Sequence, residues 1–91
     1  MNNTFITTNS PFVRFCTKTR NLMVKSDAFQ GRFPWEVQIE SASTGRVVRF
    51  VKVEPGDSDF DQDQWDGEMS IYKTAPGEDE VRCRRMIVYH G

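Results

Sequence analysis

One histidine, two cysteines, one leucine and three alanines occur in the 91 residues, and each shortage closes off a class of protein. General acid–base work at neutral pH falls most often to imidazole, so a Ser/His/Asp or Cys/His site would have to rest on His90, the penultimate residue. One His with Cys16 and Cys83 falls short of the four nitrogen or sulfur ligands of a structural zinc site. Two cysteines also do not make the dense disulfide framework of a small secreted domain; a single Cys16–Cys83 bridge and two reduced, buried thiols both remain open. Gly31, Gly45, Gly56, Gly67, Gly77 and Gly91 stand singly, which excludes a glycine-rich phosphate loop. No apolar run nears the roughly 20 residues that cross a bilayer, and residues 1–10 show no basic segment leading into an apolar one. A cytoplasmic protein, in its own cell or an infected host, with no membrane partner and no cofactor is the expectation.

What is present favours strands. Nine Val, four Ile and seven Thr far outnumber the helix-forming Leu and Ala, and β-branched side chains suit a pleated surface. A domain of this length buries only about 60–65% of its unfolded surface, and seven Phe, two Trp and two Tyr supply large buried areas for one core. The fold class expected is mostly β: a small antiparallel meander of four to six strands, curled into a partial barrel or backed by one short helix. It occupies residues 11–91 as a single domain behind a polar, flexible N-terminal arm, residues 1–10.

Alternation places Val13, Phe15, Thr17 and Thr19 on one face of a first strand, with Arg14, Cys16, Lys18 and Arg20 on the other. Leu22–Val24 extend that strand or begin a second, and Ser26–Arg32 form a connection with room for one helical turn. The clearest hairpin pairs Trp35, Val37 and Ile39, alternating with Glu36, Gln38 and Glu40, to Arg46–Val53 across a turn at Ser41–Gly45. Its return strand is apolar on both faces, which predicts a central position in the sheet. Met69–Lys73 and Glu80–Tyr89 complete the set; Val81 and Cys83 are out of phase with Met86 and Val88, so either a bulge lies near Arg84–Arg85 or both faces are covered.

Charge is the informative feature. Residues 1–53 carry eight basic against three acidic side chains, or +5, and residues 54–91 carry four against ten, or −6, so a net charge of −1 conceals a bipolar chain. In the acidic half, Asp57, Asp59, Asp61 and Asp63 recur at every second residue, and an extended chain would project them from one face about 6.6 Å apart. With Phe60, Trp65, Asp66 and Glu68 they form the preferred partner-binding set, an aromatic anchor with a steering acidic rim for a basic protein site, beside the equally simple structural alternative of a Trp65 buried under a charged loop. A solvated loop of this kind should tolerate replacement of all four aspartates by asparagine. The spacing also fits calcium-loop positions one, three, five, seven and twelve, but Gln62 stands where the turn glycine belongs.

The function expected is therefore a non-enzymatic, stand-alone binding protein acting through this surface, of the kind that small phage or plasmid proteins use to inhibit a host enzyme. Two alternatives come from different classes. Arg14, Lys18, Arg20, Arg46, Arg49 and Lys52, interleaved with aromatics, are the residue types a single-stranded nucleic-acid binder uses for phosphate contact and base stacking. The carboxylate cluster with a metal ion would serve a hydrolase, whose activity chelation would abolish.

Overall fold

The computed structural model describes residues 2–7, 13–29, 31–41, 45–77 and 83–90. Seven strands follow in chain order: β1 (Asn2–Thr7), β2 (Val13–Cys16), β3 (Asn21–Lys25), β4 (Glu36–Ser41), β5 (Val47–Val53), β6 (Met69–Thr74) and β7 (Cys83–His90). One 3-10 turn, Ser26–Phe29, is the sole helical element among the described residues. All pairings are antiparallel and join one curled sheet in the order β1-β7-β4-β5-β6-β3-β2. The mostly β, curled fold is thus present, and residues 2–7, which composition alone assigns to a loose arm, bring the strand number to seven by pairing with β7.

Central strands follow the sequence pattern closely. In the β4–β5 hairpin Val37 faces Phe50 and Ile39 faces Val48, and β5 lies fourth of seven in the sheet. The first alternating stretch is shorter than its pattern: β2 stops at Cys16, residues 17–20 turn, and β3 runs back with Phe15 opposite Leu22. Arg20 makes this reversal at φ 59°, a left-handed conformation that ends a strand. In β7, Glu40 pairs with Arg85 but Ser41 with Cys83, so Arg84 is the extra residue of a bulge. The turn at 42–44, the phase of Val81 and the Cys83 side chain lie outside what is described.

Strict period-two geometry gives the sheet two apolar faces. On one, Leu22, Val24, Val37, Ile39, Val48, Phe50 and Tyr72 are almost wholly buried beneath Ala28 and Phe29 of the 3-10 turn. Each large side chain buried there contributes about 1.5–3 kcal/mol. Tyr72 spends its hydroxyl on the carbonyl of Pro34 at 2.8 Å, tying the 3-10 connection to β6. Burial, helped by the charge of Glu54, pushes its phenol well above the ordinary range. Trp35 departs from the alternation; it precedes β4 and is 66% exposed. The opposite face carries a second, smaller core of Cys16, Met23, Val53, Met69 and Ile71. Its cover is the acidic segment.

Candidate functional site

The segment 54–68 leaves β5 and returns to β6 as a chain of tight turns. Glu54 N–H donates to Asp57 Oδ2 and Asp57 N–H to the Glu54 carbonyl, both at 3.1 Å, around Gly56 at φ +102°. Further on, Asp63 N–H donates to Asp61 Oδ1 at 3.1 Å and Glu68 N–H to Asp66 Oδ1 at 2.9 Å. Short aspartate side chains reach the backbone two or three residues away, which longer glutamates do poorly. Much of the aspartate content is therefore turn chemistry. The one-sided row that an extended chain would give does not form, because the backbone reverses repeatedly between Asp57 and Gln64.

Two aromatic rings fasten the segment to the sheet. Phe60 and Trp65 meet edge to face with centroids 5.2 Å apart and pack on the second core. Trp65 Nε1 donates to the Met69 carbonyl at 2.6 Å, and Arg14 donates through a guanidinium nitrogen to the Gln64 carbonyl at 2.8 Å. The buried Asn21 amide donates to the Asp59 carbonyl. Beneath them Asp61, only 7% exposed, accepts from the Cys16 thiol at 3.3 Å. Cys16 is a buried free thiol. Thus Phe60, Asp61 and Trp65, three of the eight residues read as partner contacts, are turned toward the protein's own sheet.

The other five, Asp57, Asp59, Asp63, Asp66 and Glu68, are exposed. Asp59 pairs with Lys73 at 2.8 Å, and this hydrogen bond together with the carboxylate's charge raises the Lys73 pKa. Asp63 lies 3.7 Å from Lys18, and neighbouring Glu54 lies 3.6 Å from Lys52. Asp57, Asp66 and Glu68 form no ion pair among the described residues. The product is an acidic ledge whose backbone is fixed from below by two rings and a buried carboxylate.

The six basic residues of the nucleic-acid reading stand on several different elements. Arg14 lies under the ledge, Lys18 and Arg20 are in the β2–β3 turn, Arg46 precedes β5, Arg49 in β5 bonds Glu36 of β4 at 3.3 Å, and Lys52 stands near the end of β5. Arg49 and Arg14 stand on strands three places apart, roughly 14 Å at the usual spacing. Arg14, Lys18 and Lys52 all bind elements of the ledge or its neck. Among the described residues no three His, Cys, Asp or Glu side chains converge as metal ligands. The loop's internal anchors had one visible signal in the sequence: two large aromatics in an otherwise polar segment. Neither the second core nor the exposure of Trp35 had any.

Comparison of the chain with protein-family models, curated proteins and solved structures yields no match.

Proposed function

We propose that this chain is a non-enzymatic binding protein that docks its acidic ledge on a basic site of a protein partner. The observation that carries the reading is the combination of exposed carboxylates at Asp57, Asp63 and Asp66 with a backbone held by Phe60, Trp65 and Asp61. A loop fixed before binding loses little conformational entropy on association, so its charge is available for steering and specificity. Seven acids between Lys52 and Lys73 repel one another, and an arrangement that retains this repulsion at the surface suits a basic counterpart. The basic side chains Arg14, Lys18 and Lys73 support the ledge from its edges. In this role they stabilise the acidic surface.

The test uses the isosteric triple variant Asp57→Asn/Asp63→Asn/Asp66→Asn, whose amides keep the carbonyl acceptors that the turns require. Wild type and variant are immobilised, exposed to cell lysate, eluted with salt and compared by mass spectrometry. A basic protein retained by wild type and depleted on the variant supports the reading. A protein retained equally by both, or the absence of any salt-eluted partner, refutes it.

A further inference from the structure

We infer that the neck of the acidic loop is a receptor for one cationic side chain, a lysine or arginine, and this rests on the reading of the ledge as a docking surface for a basic partner. The loop leaves β5 at Glu54 and rejoins β6 after Glu68, and between its two ends an open cleft of about 230 Å³ is lined by Phe33, Phe60, Trp65, Lys52, Glu54 and Glu68. Its size exceeds the roughly 150 Å³ of a cavity that admits a benzene-sized guest, so a guanidinium or an ammonium with part of its stem fits. Aromatic faces are negative at their centres and attract cations, an effect that grows as the cation loses water.

Charge selects among guests. Lys52 Nζ stands 3.6 Å from a Glu54 carboxylate oxygen and largely offsets it. Glu68 has no ion pair among the described residues, so the cleft carries the excess of one carboxylate. An anionic guest is repelled by Glu68, and a neutral one gains only wall contact. The backbone that carries Glu68 is fixed: Gly67 takes φ +88°, and the Glu68 N–H is bonded to Asp66 Oδ1. Beside the cleft the Trp35 carbonyl accepts from Lys52 N–H at 2.8 Å. Trp35 itself is exposed and is not one of the residues lining the cleft.

The experiment needs no identified partner. Two-dimensional ¹H–¹⁵N spectra of the full chain are recorded during titration with N-acetyl-arginine amide and N-acetyl-lysine amide, with N-acetyl-norleucine amide as the uncharged control. Saturable shifts are expected at the Trp65 indole N–H and at the backbone amides of Gly67, Glu68 and Ser70 with at least one cation and not with norleucine. Glu68→Gln should weaken that binding about threefold, the scale of one exposed charge pair, and Lys52→Gln should tighten it by a similar factor. Equal shifts with norleucine amide, no shift around the cleft, or indifference to both substitutions overturns the cation receptor. Such a failure leaves the ledge untouched, because the Asp57/Asp63/Asp66 variant judges that reading separately.

Discussion

Asp61 is the residue at which a structural aspartate can be separated most cleanly from a surface one. It is 7% exposed, with Oδ2 accepting from the Cys16 thiol at 3.3 Å and Oδ1 from the Asp63 N–H at 3.1 Å. Hydrogen bonds to a charged acceptor are each worth about 1.5–3 kcal/mol, and the thiol, a weak donor, adds less. Relief from burying the charge offsets part of this loss. Asp61→Ala should therefore cost about 2 kcal/mol, which for a domain of this size lowers Tm by roughly 8–16 °C. Asp61→Asn keeps the Oδ1 acceptor and should cost less than about 1 kcal/mol. Asp63→Ala, on the exposed side of the same turn, should remain within about 0.5 kcal/mol of wild type. Denaturant titrations of the three variants decide it. If Asp61→Ala and Asp63→Ala fall within 0.5 kcal/mol of each other by that estimate, the buried carboxylate is not holding the loop.

The sheet and its second core give further expectations. Val37→Asp places an unpaired carboxylate beside Phe50 in the main core and should unfold or severely destabilise the domain, whereas Gln38→Asp, half-buried on the other face, should be mild; similar circular dichroism melts for both would contradict the β4 register. Phe60→Ala removes a ring that packs on the second core and should cost about 3 kcal/mol, with Trp65 fluorescence shifting to the red as its cover is lost; an unchanged spectrum and stability would mean that the ring does not anchor the loop. Because the folded pKa of Tyr72 lies above its unfolded value of 10.0, its contribution is complete below about pH 10 and is lost as pH rises further. Tyr72→Phe should thus be less stable at neutral pH, where the Pro34 carbonyl loses its donor, yet show a shallower alkaline decline; parallel alkaline limbs in the two proteins would contradict this.

Apolar runs bounded by turn residues were sufficient to read β4, β5 and β6, and in β4 the alternation of buried with exposed or half-buried residues fixed the phase as well. The doubly apolar pattern of Val47–Val53 announced the centre of the sheet, since β5 contributes side chains to the cores on both faces. Less was legible where tertiary contacts decide. Thr17–Arg20 continue the alternation of β2 but form a turn, and residues 2–7 have too few apolar side chains to signal a strand whose backbone is satisfied by β7. In the acidic segment, the charge pattern located the loop but did not separate the residues that face solvent from those that hold the loop to the sheet. Spacing alone made Asp57, Asp59, Asp61 and Asp63 equivalent, whereas the structure makes Asp57 an exposed and Asp61 a buried turn acceptor, and Asp59 and Asp63 exposed ion-pair partners of Lys73 and Lys18. Of the four, Asp61 is the one whose replacement by asparagine is expected to carry a stability cost, because it alone is buried. Phe60 and Trp65 likewise serve as supports beneath the ledge, a role that depends on a second core formed by residues far apart in the chain.

The central claim, that an acidic ledge steers this protein to a basic partner, is tested most directly by association kinetics with the captured partner at two ionic strengths. Wild type should associate rapidly at low salt and lose most of that advantage at high salt, as expected when complementary charges accelerate encounter. The Asp57→Asn/Asp63→Asn/Asp66→Asn variant, folded as judged by its melting curve, should associate on the order of tenfold more slowly at low salt and show a much flatter salt dependence, with a dissociation rate changed far less. An association rate and salt dependence indistinguishable from wild type would contradict the account.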